Sequence, residues 1–406
     1  MLSSQPNNSD ARIAPKILFS VSVDESLKLL GNIPYLLAKE GWEVHIVSNP
    51  GPQLAAVSES RSVTTHKLKM SRRPDPLRDV ISFIGWLRLL TRLKPDVISV
   101  GTPKASLLGL TAGFLYRVPY RVYVLRGLRL ETSKGIVLWA LSLLEKLTAR
   151  SATLIHSVSE SLRKEYLKRG FTTPEKITLI GNGSSKGVNI VKFRPPLKSE
   201  NLRLSLLARE IGLSPGVPVI GLFGRLAEDK GVKTFGEALT ILERQNVRCQ
   251  VLVIGADESS GSFMKQTDLS SIGVQVLPHA ESLEVYFRLL DVLCVPTLRE
   301  GLPNVALEAQ ASGVPVVTTD ATGAIDSILP NSTGLIARKG DPYHLANLLR
   351  EIVEDSKLRQ SLSSKARPWV SETFDSTVVE NQIFLFYKNL LATPGAPQVP
   401  QNSDLG

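Results

Sequence analysis

Several features that mark specialised proteins are scarce or missing in this sequence. Two cysteines among 406 residues, Cys249 and Cys294, both inside apolar runs, cannot build a disulfide framework; such scarcity indicates a reducing compartment. No run reaches the ~18–20 apolar residues that span a bilayer: Leu107–Tyr116 stops at Arg117, and Gly135–Leu144 stops at Glu145 and Lys146. The opening MLSSQPNNSDARIAP is polar and lacks an apolar signal region, so secretion is not expected. No Asp-x-Asp triplet and no His/Cys cluster with ligand spacing occurs, so no metal or other cofactor is expected. Gly-x-Gly and Gly-Lys-Ser/Thr phosphate loops are missing from strand–helix junctions, which opposes a dinucleotide oxidoreductase or a P-loop enzyme.

What is present is an ordinary globular composition, 43% apolar and 21% charged, long enough for two or three domains. The net charge of +10 is uneven. Residues 1–195 hold 29 Lys+Arg against 14 Asp+Glu (+15), and the remainder 19 against 24 (−5). A basic half suggests an anionic partner, a lipid surface or a phosphorylated substrate. Nucleic acid is not expected, because the cations are scattered among helical patterns without aromatic interleaving.

Strand and helix patterns alternate throughout. In the first half, strands are expected at Lys16–Val23, Glu43–Val47, Asp96–Val100, Tyr120–Leu125, Thr153–Val158 and Ile177–Ile180. Helical spacing marks Ser26–Lys39, Leu77–Leu93, Val137–Ala149 and Glu160–Lys168. A second series has strands at Val217–Phe223, Gln250–Ile254, Val274–Leu277, Val292–Val295, Val314–Thr318 and Gly334–Ala337, and ends on the apolar helix Val378–Leu391. Such alternation specifies α/β crossovers and parallel sheets. The expected fold is therefore two doubly wound Rossmann-like lobes with an inter-lobe cleft at the strand ends. The boundaries expected are 15–195 for a first lobe, 196–215 for a linker and 216–375 for a second lobe. Residues 376–392 are expected to form a helix, and 1–14 and 393–406 to be disordered.

Two constellations carry chemistry. Phe223-Gly224-Arg225 ends a strand and Asp229-Lys230-Gly231 precedes a helix, placing two fixed cations beside helical N–H groups, a diphosphate site. Further on, Glu300 ends a strand, Gly301-Leu302-Pro303-Asn304 opens a helix with Pro303 in its first turn, and Glu308 follows one turn later. A carboxylate at Glu308 can accept two hydroxyl bonds from a ribose, the alternative being that it complements the helix dipole.

This pattern resembles the donor domain of family-4 retaining glycosyltransferases of the GT-B fold, whose hallmarks are Glu-x7-Glu and an upstream Gly-Arg…Lys-Gly. The first half is similar to the capsule and O-antigen branch of that family, which acts on lipid-linked intermediates. The matching strings are SLKLLGN (26–32), SNPGPQL (48–54), TPKASLLG (102–109), RGLRLETSKG (126–135) and GNGSSKGVN (181–189). The resemblance spans residues 15–392, and it implies that lobe 15–195 is acceptor-binding, that lobe 216–375 is donor-binding and that helix 376–392 packs back on the first lobe. It implies that Arg225 and Lys230 neutralise the departing diphosphate. Glu308 would hold the ribose, and Glu300 would face the donor sugar. Gly224 and the amides of Gly301, Leu302, Pro303 and Asn304 would line the donor site. Thr102, Lys104 and Arg126 would face the acceptor, and Gly181-Asn182-Gly183 the cleft edge. Two elements of the branch differ here. Val100 and Gly101 stand where a histidine is common, and Val21–Asp24 form no Gly-rich loop. His45, His156 and His279 are read as structural.

The expected activity is retaining, metal-independent transfer of a sugar from a nucleotide-sugar, with uridine the base that the resemblance implies, to a glycan or lipid-linked acceptor. A nucleotide-sugar isomerase or hydrolase, or a non-catalytic binding subunit, is the alternative. The location expected is cytoplasmic and peripheral on the inner face of the plasma membrane. Leu77–Leu93 with Trp86, and Ile136–Leu147 with Trp139, are the two segments able to lie at an anionic surface.

Overall fold

The computed structural model describes residues 14–71, 75–258 and 269–392. The expected disordered ends fall outside the described residues apart from Ala14, as do Arg72 and Arg73. Among the described residues there are two sheets. The first has seven strands: β1 (Lys16–Ser20), β2 (Glu43–Ser48), β3 (Thr64–Lys67), β4 (Val97–Gly101), β5 (Tyr120–Leu125), β6 (Leu154–Ser157) and β7 (Ile177–Leu179), in the order β3-β2-β1-β4-β5-β6-β7. The second has six: β8 (Val219–Phe223), β9 (Gln250–Ile254), β10 (Gly273–Leu277), β11 (Val292–Val295), β12 (Val316–Thr319) and β13 (Gly334–Ala337), in the order β10-β9-β8-β11-β12-β13. β1 pairs in parallel with both β2 and β4, and β8 with both β9 and β11. Each sheet therefore reverses its winding beside its first strand, the topological switch point at which such folds bind ligands.

The strands of the second sheet are apolar on both faces because helices cover both. Helix Val232–Arg244 packs Phe235, Leu239 and Leu242, and helix Pro342–Glu354 packs Leu345, Leu349 and Ile352, against Val251, Val253 and Cys294. Phe287, Leu293 and Ala306 belong to the cluster that also holds Phe223 and Leu252. Burial raises the thiol pKa of Cys249 to about 11 and pushes that of Cys294 higher still, so neither is a nucleophile at neutral pH.

Three expectations are corrected. Ser26–Lys39 is not one helix. A 3-10 turn, Asp24–Leu30, is followed by Gly31 at φ 55° and then helix Ile33–Lys39, because a left-handed residue ends helical propagation. The first strand stops at Ser20 rather than Val23. Inside the expected linker, Asn201–Glu210 is a helix.

By contacts the chain forms two compact units, one of the described residues to Val124 with Leu147–Ile155, the other of Leu125–Lys146 with those from His156 onward. The second unit thus includes the loop after β5 and all of the motifs expected to carry donor chemistry. The final helix, Ser376–Ala392, buries Val379, Ile383 and Phe386, with Phe386 against the His156 ring in the same unit.

Candidate functional site

The site is built at the ends of β8, β11 and β12. Buried β8 stops at Gly224, whose N–H bonds to Ile254 O at 2.8 Å. The Arg225 guanidinium then pairs with Glu258, with both side chains about 40% exposed. A 3-10 turn, Glu228–Lys230, leads to Gly231 at φ 72°, where a Cβ would collide with the Pro296 carbonyl. Only glycine lets this turn come so close to the end of β11.

That approach joins the two sequence motifs. Lys230 Nζ forms an ion pair with Glu300 Oε1, both side chains largely withdrawn from solvent. Asp229 O accepts from Leu298 N at 3.0 Å and from Thr297 Oγ1 at 3.1 Å, while its carboxylate holds Arg299 at 2.7 Å. Glu300 N donates to Thr322 O at 3.0 Å. The helix beyond runs Asn304–Ala311. Pro303 is its N-cap and not a first-turn residue, and no side chain caps the terminus. The leading amides at Asn304 and Val305 therefore have no intrahelical acceptor, and they carry the positive end of the helix dipole. The Leu302 side chain packs beside Leu307 and Phe374. Glu308 is half-buried in the helix, one turn from its start.

The structure places the expected acceptor residues in different settings. Thr102 and Lys104 lie in the first compact unit. Thr102, at φ 102°, accepts from Ser22 N at 2.9 Å and so ties the β4 end to the β1 end. Lys104 is paired with Asp79 at 2.6 Å and donates to Ser71 Oγ at 2.8 Å. Arg126 instead belongs to the second unit, where a Cβ on Gly301 would collide with its carbonyl. Its Nε donates to Ser185 Oγ at 3.0 Å. The Gly181–Gly183 turn abuts the β6 end, with Ser184 N bonded to Val158 O at 2.7 Å.

Residues to which the sequence assigned no role complete the arrangement. Ser159 Oγ donates to Gly301 O at 2.6 Å, and Gly323 N donates to Ser161 Oγ at 2.7 Å. Thr322 Oγ1 donates to Glu131 Oε1 at 2.6 Å, and Arg299 Nε to Thr132 Oγ1 at 3.2 Å. Burial raises the Glu131 carboxyl pKa above its ordinary range, against the Thr322 bond that lowers it. His156 is enclosed at the end of β6, where burial first and Arg126 second lower its pKa to about 3. The imidazole is neutral and structural at physiological pH. Repeated Thr and Gly in TTDATG (318–323) and Ser in SVSES (157–161) were the available signals. Among the described residues, no group of three His, Cys, Asp or Glu side chains is arranged to hold a metal.

Two cations and an uncapped helix terminus at the C-terminal ends of a parallel sheet are chemically suited to a doubly charged phosphate group, and the neighbouring carboxylates to sugar hydroxyls. Two such sheets define the GT-B class of glycosyltransferase fold. HepE of Anabaena, solved in complex with UDP-glucose, shares this fold at a TM-score of 0.73 and 19% identity, over 93% of this chain and 100% of that one. Residues 34–183 match the Glycosyl transferase 4-like domain, and 207–369 match Glycosyl transferases group 1. The Capsular polysaccharide biosynthesis glycosyltransferase CapM of Staphylococcus aureus is 33% identical over 383 residues, 93% of this chain and 97% of that protein. A UDP-Gal:alpha-D-GlcNAc-diphosphoundecaprenol alpha-1,3-galactosyltransferase of Escherichia coli is 25% identical over 80% of this chain and 83% of its own. The chain belongs to the family-4 type glycosyltransferases and is a transferase enzyme.

Proposed function

We propose that this enzyme transfers a hexose-type sugar, with retention and without a metal, from a UDP-sugar to a diphospholipid-linked glycan in surface-polysaccharide assembly. The observation that carries the reading is the meeting of Lys230 with Glu300 beside the uncapped helix start at Asn304, with Arg225 on the adjoining turn. The relatives support the substrate classes, one named for capsule and the other for a UDP-linked donor and a diphosphoundecaprenol-linked acceptor.

In the transfer, the bond between the anomeric carbon and the β-phosphate oxygen breaks and its electron pair leaves with the diphosphate. Arg225, Lys230 and the amides at Asn304 and Val305 stabilise that charge as it grows. The acceptor hydroxyl attacks the same face and passes its proton to the departing phosphate oxygen. Positioning and fixed charge suffice, and no side chain with a tuned pKa is required. Glu308 holds the ribose, and Glu300 orients the sugar.

The reading also places the enzyme at the cytoplasmic face of an anionic membrane. Helix Gly135–Ser151 supports this: the residues it buries are Thr148, Ala149 and Ser151, while Ile136, Val137, Trp139, Leu143, Leu144 and Leu147 face solvent. Lys134, Lys146 and Arg150 are exposed along it. An apolar face with cationic edges suits shallow insertion among anionic headgroups. No helix among the described residues is long and apolar enough to cross a membrane.

Radiolabelled UDP-glucose, UDP-galactose, UDP-N-acetylglucosamine and UDP-N-acetylgalactosamine, each incubated with membrane lipids, test the function. Label from one of them is expected in the lipid extract. Full-rate conversion of donor without acceptor would instead establish an isomerase or hydrolase, and binding without turnover a non-catalytic subunit.

A further inference from the structure

Glu131 is a carboxylate that the donor chemistry leaves unused. It lies in the short turn Arg129–Thr132 after β5, and its Oε1 receives the Thr322 hydroxyl. Its Oε2 is shut off from solvent and has no hydrogen-bond partner among the described residues. Leaving such an oxygen unsatisfied costs about 1–3 kcal/mol, and a cost kept next to a reactive site calls for a functional account.

The account lies in what Thr322 does with its other end. Its carbonyl accepts the Glu300 N–H, so one residue joins the Glu131 side chain to the Glu300 backbone. The same loop reaches both neighbours of Glu300. Thr132 receives Arg299, and the Arg126 and Gly127 backbone abuts Gly301. On the side-chain end, Lys230 holds Glu300. A donor diphosphate would compete for that ammonium, and the backbone hold through Thr322 would then be the contact made directly to the Glu300 backbone.

We propose that Glu131 is a positioning residue of the transferase, fixing through Thr322 the backbone that presents Glu300 to the donor sugar. The inference rests on the assignment of Glu300 to the donor site. It predicts an effect on turnover rather than on nucleotide affinity, since Glu131 supports the sugar end of the site and not the diphosphate end.

The test uses the full chain, with UDP binding by calorimetry and steady-state transfer from whichever UDP-sugar of the panel labels lipid. Glu131→Ala is expected to lower kcat at least tenfold while UDP affinity stays within threefold. Glu131→Gln, whose amide carbonyl still accepts from Thr322, restores most of the rate. Thr322→Val reproduces the loss from the other end of the bond and Thr322→Ser does not, which keeps the test open should Glu131→Ala fold poorly. Glu300→Gln is the reference. If it cripples transfer while Glu131→Ala and Thr322→Val stay within twofold of the parent, the positioning role is overturned and the donor site stands. If Glu300→Gln is itself without effect, the donor-site assignment fails. A loss in Glu131→Ala that is matched in UDP affinity and not recovered by Gln would mark general damage and also overturn the proposal.

Discussion

Replacing Ile136, Trp139 and Leu143 by serine should release the enzyme from anionic membranes without touching its chemistry. These side chains are 80, 67 and 54% exposed on one helix, which together amounts to about two whole apolar side chains facing water. At ~1.5–3 kcal/mol per fully buried side chain, complete burial would recover about 3–6 kcal/mol. An interfacial helix that recovers half of this gains ~1.5–3 kcal/mol, so the triple variant should bind anionic vesicles about tenfold to more than a hundredfold more weakly. Because none of the three is buried in the fold, thermal stability should be retained. Sedimentation with vesicles of phosphatidylglycerol and phosphatidylcholine measures the effect, and transfer to a short-chain, water-soluble acceptor checks that the site is intact. Binding of the parent should need the anionic lipid and weaken with salt through Lys134, Lys146 and Arg150. Leu202→Ser with Leu206→Ser, also exposed apolar positions, serves as the control and should leave binding unchanged. Equal sedimentation of the parent and the triple variant would refute the reasoning. So would a parent protein that stays in the supernatant at low salt.

Four further outcomes follow from the site and its supports. Lys230→Ala and Glu308→Ala should each lower donor turnover by ten- to more than a hundredfold, about 1.5–3 kcal/mol for a lost charge-assisted contact, with the unfolding midpoint little changed; steady-state rates decide this. Exhaustive chelation should leave transfer intact, and a strict requirement restored by magnesium or manganese would contradict the role given to Arg225 and Lys230. Gly231→Ala should destabilise far more than Gly340→Ala in denaturant titrations. Both have positive φ, costing about 1 kcal/mol or more, but a Cβ meets the Pro296 carbonyl at Gly231 and nothing within 4 Å at Gly340. Finally, the folded protein holds His156 neutral with its pKa near 3. Its contribution to stability is complete above the unfolded pKa of about 6.5 and is lost as pH falls from there towards 3. His156→Gln should flatten that part of the stability–pH curve, and an unchanged acid limb would contradict the burial argument.

The strands were legible because parallel sheets buried on both faces leave continuous β-branched runs. Tyr120–Leu125, Gln250–Ile254, Val292–Val295 and Gly334–Ala337 form at the expected residues. Thr64–Lys67 escaped notice because the TTHK of β3 carries no apolar signal, lying at the sheet edge beside β2. The exposed apolar surface was legible only in outline, since helical periodicity shows that an apolar stripe exists but not which way it faces. Trp86 turns inward to pack against Gly109, whereas Trp139 is exposed. Leu77, Val80, Ile81 and Ile84 leave only the first turns of helix Pro76–Leu93 uncovered.

The site divides in the same way between what chemistry marks and what only folding brings together. Charged residues at fixed spacing beside glycines announced Lys230 and Glu300, and the structure joins them directly. Nothing in the sequence announced that Arg126 and Gly127 would press on Gly301, because that contact is made by backbone and by the lack of a side chain. The resemblance implied that Arg126 faces the acceptor, yet the contacts of residues 126–132 reach Arg299, Thr322 and Gly301. If the proposed donor role of Glu300 holds, a loop that follows a strand of the first sheet supports the donor-side carboxylate, tying the sequence around Arg126 to the geometry at Glu300. Substitutions in RGLRLETSKG should consequently alter turnover of the donor sugar as well as the choice of acceptor, and Glu131 is where that link has a single hydrogen bond to break.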